Sequence, residues 1–180
     1  MVDLSTARQQ QTLASSPLLR QLPPATRLVL RGGSQVLAAA ADALGLPRSE
    51  TPCRVVRNDA RAALWLGPDE RLLLGSADAA ADMHGLLQQA LTGMAHALAD
   101  ISHGQVGFEV SGARAPLALN TGCPLDLDPA SFPPEMCTRT VFAKAQIVLW
   151  RTGAMTFRVE TARSFAPYVT EILALAGRES

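Results

Sequence analysis

The sequence lacks an excess of charge of either sign, since 16 lysine and arginine residues balance 16 aspartate and glutamate residues. Proteins that bind nucleic acid or an anionic membrane surface electrostatically carry a basic excess, so neither partner is expected. Charged residues are also few, at 18% of the chain, against about 25% in a typical soluble domain. This low fraction fits a chain whose exterior is partly covered by other subunits, although an alanine-rich sequence gives the same figure.

Cysteine is equally sparse, with only Cys53, Cys123 and Cys137 in 180 residues. No two of them form a CxxC pair, and none lies near a histidine that would complete a tetrahedral zinc site. An odd number of widely spaced cysteines predicts free thiols, which are typical of a reducing cytoplasm.

Long apolar runs are missing as well. No apolar stretch reaches the roughly 18 residues that a membrane-spanning helix needs. The start, "MVDLSTARQQQ", has an acid at Asp3 and lacks the apolar segment of a secretory signal. We therefore expect a cytoplasmic protein with no membrane partner.

What the sequence does contain is a series of strand and helix patterns behind a polar start. Residues 1–26 are rich in Gln and Ser and end in "QLPPAT", whose paired prolines exclude helix. They are predicted to form an N-terminal arm or linker. Residues 27–180 are predicted to form a single α+β domain.

This domain is predicted to repeat the order βαββα, over residues 27–94 and 95–180. In the first repeat "RLVLRGG" predicts a strand, "SQVLAAAADALG" a helix capped by Ser34 with Gly45 at its far end, "AALWLGPDERLLLG" a hairpin, and "SADAAADMHGLLQQALTGM" a helix capped by Ser76. In the second, "QVGFEVSG" predicts a strand, "ARAPLALNTG" a short helix, "TRTVFAKAQIVLWRTGAMTFRVE" two strands around "RTGA", and "SFAPYVTEILALAG" a helix capped by Ser164. A duplication of this kind would pair the sheets about a pseudo-twofold axis.

The stretch "GCPLDLDP", residues 122–129, carries the densest set of reactive groups. Asp126 and Asp128 would face one side of a strand, as a metal site requires. The backbone favours a turn instead, because Pro124 and Pro129 restrict it and an aspartate before a proline is typical of a helix N-cap. In that interpretation Gly122 ends a helix, Leu125 and Leu127 pack inward, and Asp128 caps a short helix over "PASF".

Other candidates for catalysis stay isolated in sequence. Cys123 follows a helix, where no N-terminal dipole lowers its pKa, so a buried structural thiol is expected rather than a nucleophile. His84, His96 and His103 lack the spacing of a helical metal pair. Lys144 in an apolar hairpin could contact an anion, but it is typical of an edge residue that opposes aggregation.

Four stretches of the second half resemble the gamma subunit family of heterotetrameric sarcosine oxidases: "ADISHGQVGFEVSGARAPLAL", "GCPLDLDPASFPPEMC", "KAQIVLWR" and "RSFAPYVTEIL". The first is also similar to aminomethyltransferase-like folate-binding proteins, so the resemblance implies a fold of that type. Residues that carry it, as candidates for folding or subunit contact, are Cys123, Pro124, Asp126, Asp128, Pro129, Lys144, Gln146, Arg163, Ser164 and Phe165.

The resemblance implies a noncatalytic subunit with alpha, beta and delta subunits as partners. The assembly would demethylate sarcosine to glycine, with FAD, FMN, NAD and tetrahydrofolate on other subunits and no cofactor, metal or catalytic residue in this chain. A stand-alone module for a folate or pterin ligand is the alternative, with Lys144 and Asp126 as its few candidate contacts. An independent hydrolase or transferase is a distant third alternative, because no nucleophile can be paired with a base.

Overall fold

The computed structural model describes residues 15–16 and 18–177. The fold is α+β with two antiparallel sheets, and the chain divides into two compact units. The six-stranded unit takes its described residues from 1–22, 106–134 and 139–180, and the five-stranded unit comprises 23–105 and 135–138. Among the described residues no helix is both long and apolar enough to cross a bilayer.

The five-stranded unit has the strand order β4-β5-β6-β3-β7, with two helices. The elements in chain order are β3 (Ala25–Gly32), α1 (Ser34–Ala43), β4 (Val55–Arg57), β5 (Ala62–Gly67), β6 (Glu70–Ser76), α2 (Ala80–Ala90) and β7 (His96–Asp100).

The six-stranded unit has the strand order β1-β2-β8-β11-β10-β9, also with two helices. The elements in chain order are β1 (Ser15–Ser16), β2 (Leu19–Gln21), β8 (Gln105–Ser111), α3 (Ala115–Asn120), β9 (Cys137–Phe142), β10 (Ala145–Gly153), β11 (Thr156–Ala162) and α4 (Ala166–Ala176). Two boundaries between the units fall inside strands, after Gln105 in β8 and after Thr138 in β9.

Each unit has an apolar core built from one sheet face and its helices. In the five-stranded unit α1 and α2 contact each other, and their apolar side chains pack with those of β3, β5 and β6. Burying one such leucine contributes about 1.5–3 kcal/mol. The core residues are Leu28, Leu30, Val36, Ala40, Leu44, Leu46, Ala63, Leu73, Met83, Leu87 and Leu91.

Several predicted elements are confirmed. The "GPDE" hairpin is the antiparallel pair β5–β6, and the "RTGA" hairpin is β10–β11. Helix α1 stops two residues before Gly45, which has a φ of +65°. The Gly45 amide donates to the Asp42 carbonyl (3.0 Å) and the Leu46 amide to that of Ala41 (2.8 Å), so a Schellman motif closes the helix.

The predicted helix starts are wrong. Ser34 is the first residue of α1, with Gly33 as its N-cap, and the N-caps of α2 and α4 are Ala79 and Phe165. None of the three makes a side-chain capping hydrogen bond. Ser76 instead ends β6 and its hydroxyl donates to Asp78 (2.6 Å). A serine before an apolar run therefore marks a helix start only to within a few residues.

Strand pairing also extends into the segment predicted as an arm. Most of residues 1–26 lie outside the described part, but β2 within it pairs antiparallel with β8, with Leu19 opposite Val110. Leu19 is buried at 1% exposure. The strands β4 and β9 add one strand to each predicted βαββα order. The order is therefore βαβββα in both units, from β3 to α2 and from β8 to α4.

Candidate functional site

The two aspartates of "GCPLDLDP" form hydrogen bonds within their own turn. Asp126 Oδ1 accepts from the Asp128 amide (3.0 Å), and Oδ2 accepts from the Ser131 hydroxyl (2.6 Å). Asp128 Oδ1 accepts from the Ala130 amide (2.8 Å). These bonds, that of Ser131 foremost, hold the pKa of the Asp126 carboxyl below its usual range. The predicted turn is therefore confirmed, and each carboxylate is engaged by local donors.

The helix predicted after Asp128 does not form. The Asp128 carbonyl accepts from the amides of Ser131 (3.0 Å) and Phe132 (2.8 Å), which closes a single turn. Pro133 and Pro134 follow at once, and a helix cannot continue into paired prolines. Within residues 15–16 and 18–177, no three or more His, Cys, Asp or Glu residues are grouped so that they could hold a metal ion.

The start of the same stretch is fixed by close packing. A Cβ added to Gly122 would lie 3.0 Å from the Ala143 amide nitrogen and 3.0 Å from the Phe142 ring. The Gly122 carbonyl accepts from that amide (2.7 Å). The close approach of the β9–β10 turn therefore disfavours a side chain at this position.

Cys123 is buried, at 4% exposure. Burial raises the pKa of its thiol, an effect that outweighs the hydrogen bonds from Leu125 and Thr140. The predicted buried thiol is confirmed. Leu127 packs inward as predicted, whereas Leu125 is only half-buried and Pro124 and Pro129 are exposed.

Arg151 on β10 holds this stretch in place, and the sequence analysis missed it. Its side chain is 0% exposed. Nη1 donates to the carbonyls of Leu127 (3.1 Å) and Phe132 (2.8 Å), Nε donates to that of Gly153 (3.2 Å), and Nη2 donates to that of Ala154. The guanidinium also lies over the Phe157 ring, 5.0 Å from its centroid.

Arg151 therefore spans the signature stretch and the β10–β11 hairpin. Its acceptors are backbone carbonyls rather than a carboxylate, so the side chain acts as a structural clamp. In sequence an arginine inside "IVLWRTG" is typical of an edge residue, and only the distant carbonyls reveal its role.

The remaining signature residues are exposed and lie at element ends. Lys144 occupies the turn between β9 and β10, and Gln146 follows on β10. Arg163, Ser164 and Phe165 form a 3₁₀ turn before α4. Their predicted part in folding or subunit contact stays a prediction.

Cys137 is fixed by the five-stranded unit's own residues. Its amide donates to the Cys53 carbonyl (2.9 Å), and its thiol donates to the Trp65 carbonyl (3.5 Å). Burial is the main cause that raises the pKa of this thiol to about 12. All three cysteines of the chain are free thiols, as predicted.

The "DISHG" stretch ties β7 to β3. Asp100 Oδ1 accepts from the Ser102 amide (2.8 Å) and hydroxyl (2.5 Å), and Ser102 Oγ accepts from the Arg27 amide (2.9 Å). The Ser102 hydrogen bonds lower the pKa of the Asp100 carboxyl. Its polar groups are thus used inside the five-stranded unit.

Exposed large apolar side chains are concentrated in one unit. Among the described residues, every exposed large apolar side chain belongs to the six-stranded unit, and each is between 43% and 67% exposed. They are Leu117, Val141, Met155, Phe165 and Leu175. Leu117 lies on α3 and Leu175 on α4, and these two helices contact each other.

The five-stranded unit contains a cavity of about 420 Å³. Its walls are formed by α1, the loop 46–52 and the facing side chains of β5 and β6. Most of the lining side chains are apolar. Arg48, Glu50 and Arg71 also line it, whereas the candidate folate contacts Lys144 and Asp126 do not. The geometry therefore gives no support to a folate or pterin site built on those two residues.

Comparison with known proteins identifies similar chains. Residues 32–179 match the family described as sarcosine oxidase, gamma subunit family. Sarcosine oxidase subunit gamma of Corynebacterium sp. (strain P-1) is 32% identical over 173 residues, which cover 94% of this chain and 84% of that protein. The subunit of the same name from Arthrobacter sp is 35% identical over 159 residues, covering 87% of this chain and 77% of that protein.

Solved structures agree with these matches. A chain of the heterotetrameric sarcosine oxidase from Corynebacterium sp. U-96, in complex with pyrrole 2-carboxylate, gives a TM-score of 0.86 at 29% identity and covers 97% of this chain and 92% of its own. Aminomethyltransferase T of the glycine cleavage system from Bartonella henselae gives 0.66 at 13% identity, covering 95% of this chain and 52% of its own. The latter likeness confirms the predicted resemblance of fold alone.

Proposed function

Because the chain belongs to the sarcosine oxidase gamma subunit family, we propose that it is the gamma subunit of a heterotetrameric sarcosine oxidase and supplies no catalytic residue itself. Its partners are the alpha, beta and delta subunits. These subunits carry FAD, FMN, NAD and tetrahydrofolate and convert sarcosine to glycine. The free thiols of all three cysteines support a cytoplasmic location.

The exposed apolar side chains of the six-stranded unit carry this proposal. Soluble chains seldom expose a contiguous apolar patch without a partner, and Leu117 and Leu175 lie on two helices that contact each other. Full burial of a leucine contributes about 1.5–3 kcal/mol, so the docking of Leu117 and Leu175 against a flavin-bearing subunit would supply a substantial part of the association free energy. The Arg151 clamp keeps the signature stretch of the same unit rigid, which lowers the entropic cost of docking.

The order βαβββα in both units supports the further proposal that residues 27–94 and 95–180 are a duplication with a pseudo-twofold axis. The two sheets with their helices would then derive from one ancestral unit. The single-domain assignment of residues 27–180 is part of the same proposal.

Co-expression with candidate alpha, beta and delta subunits tests the docking surface. The wild-type chain, carrying an affinity tag, should retain the other subunits on the column. The double variant Leu117→Glu/Leu175→Glu should lose them, because two charges would be buried at the interface. Gln88→Glu, at an exposed position of α2 in the other unit, is the matched control and should retain them.

Circular dichroism of each variant separates loss of docking from loss of folding. Retention of all subunits by the correctly folded double variant would contradict the proposed surface. Retention of none by the wild-type chain would contradict the subunit function itself.

A further inference from the structure

The cavity of the five-stranded unit contains a guanidinium group with an open face. Arg71 projects from β6, half-buried, and its Nη1 donates to the carbonyls of Gly67 (2.6 Å) and Glu70 (3.0 Å). These two bonds use both protons of Nη1. The Nε and Nη2 groups donate to no acceptor within residues 18–177, and they form one flat edge of the guanidinium.

That edge suits a carboxylate. The Nε–H and one Nη2–H point in parallel, at the separation of the two oxygens of a carboxylate, and such paired bonds are among the strongest in proteins. Burial is the main cause that lowers the pKa of Arg71, and the charges of Asp69 and Glu50 oppose it only in part. A bound anion would relieve this cost.

A second charge of opposite sign lines the same cavity. The Glu50 carboxylate accepts no hydrogen bond from the described residues, and its charge acts on Arg71. Arg48 is already paired with Asp42. The cavity therefore offers one cationic edge and one carboxylate.

The rest of the wall is apolar. Leu37 on α1, Val56 on β4 and Leu73 on β6 line the cavity. A volume of about 420 Å³ is at the small end of the range for ligand sites, about 300–1,000 Å³. The occupant that satisfies these walls carries both charges on a small apolar body.

We propose that this cavity binds a free α-amino acid with an apolar side chain. The carboxylate would accept from Nε and Nη2 of Arg71, the ammonium group would face Glu50, and the side chain would pack against the leucines and valine of the wall. This site is independent of the proposed docking function, because every residue that forms it belongs to the five-stranded unit.

Calorimetric titration of the full-length chain tests the proposal with L-leucine as the probe. We expect saturable binding with a Kd on the order of 1 mM or tighter. Two analogues remove one charge each at nearly constant shape: 4-methylpentanoate lacks the ammonium group, and 3-methylbutylamine lacks the carboxylate. Each analogue should bind at least about 10-fold more weakly than L-leucine.

Variants assign the binding to the proposed groups. Arg71→Met should weaken leucine binding at least about 10-fold, while Arg31→Met, on the exposed face of β3, should leave it unchanged. The absence of saturable leucine binding to the folded wild-type chain would overturn the proposal. Equal binding of leucine and 4-methylpentanoate, or unchanged binding by a folded Arg71→Met chain, would overturn it as well. None of these results depends on whether the chain assembles with other subunits.

Discussion

Replacing Arg151 by methionine tests how the signature stretch is held. Methionine keeps the apolar length of the side chain above Phe157 but removes all donors. The carbonyls of Leu127 and Phe132, whose bonds to Arg151 are buried, then lose their partner. The carbonyls of Gly153 and Ala154 are only partly buried, so water can replace the arginine there.

The magnitude follows from the two buried acceptors. Each unsatisfied buried carbonyl costs about 1–3 kcal/mol, and relief of guanidinium desolvation offsets part of that sum. We therefore expect Arg151→Met to lower the free energy of unfolding by about 2–4 kcal/mol. This is a large fraction of the roughly 5–15 kcal/mol of an ordinary domain.

Urea unfolding of the full-length chain, followed by circular dichroism, measures the change. Arg20→Met is the matched control, because Arg20 lies in the same sheet on β2 and pairs with Glu109 while its side chain is 59% exposed. Exposed pairs of this kind contribute at most about 1 kcal/mol. Hydrogen exchange of the Phe132 amide adds a local readout, since it should accelerate only in Arg151→Met. A loss below about 1 kcal/mol with unchanged exchange at Phe132 would refute the clamp.

Three further predictions concern packing, thiol reactivity and pH. In urea unfolding, Gly122→Ala should destabilise the chain by about 1–3 kcal/mol. Gly104 has open space around it, so Gly104→Ala should change stability little. Equal effects of the two substitutions would contradict the explanation that the β9–β10 turn leaves no room for a side chain at Gly122. In the native chain iodoacetamide should modify Cys53 well before Cys137. The pKa of about 12 at Cys137 leaves about 10³-fold less thiolate than an ordinary cysteine has. Equal modification rates of the two cysteines in peptide mapping would contradict this. Because the pKa of Asp126 is lowered, its stabilisation is present above the carboxyl's unfolded pKa of about 4 and is lost as pH falls through the lower folded value. The stability gap between wild type and Asp126→Asn should therefore narrow on acidification, and a gap that stays constant from neutral to acidic pH would exclude this role.

Local chemistry made much of the fold predictable. The turns "GPDE" and "RTGA" separate apolar runs that pair as β5–β6 and β10–β11, since turn residues and strand patterns are read over a few positions. Gly45 marks the end of α1 because its positive φ favours glycine. The helix starts were predicted less well, because no side-chain cap is used at any of the three predicted serines.

Non-local pairing accounts for most of what the sequence did not reveal. β2 pairs with β8, which is far along the chain, and nothing in "LRQ" indicates that partner. β4 and β9 were not predicted as separate strands, because their place in each sheet depends on their neighbours rather than on their own pattern.

The candidate site was also predictable only where local sequence determines it. Pro124 and Pro129 identify the Asp126–Asp128 stretch as a turn from sequence alone, because proline restricts the backbone locally. The role of Arg151 depends on carbonyls 19 and 24 residues away. The opposition of Arg71 and Glu50 in one cavity depends on how the loop after α1 lies against the sheet, which spacing along the chain does not encode.

Native mass spectrometry of the tagged chain, co-expressed with the alpha, beta and delta subunits and purified by its tag, tests the subunit assignment most directly. The assignment predicts one dominant mass that equals the sum of the four different chains. A dominant mass of this chain alone, beside a complete and active oxidase formed by the other three, would contradict it.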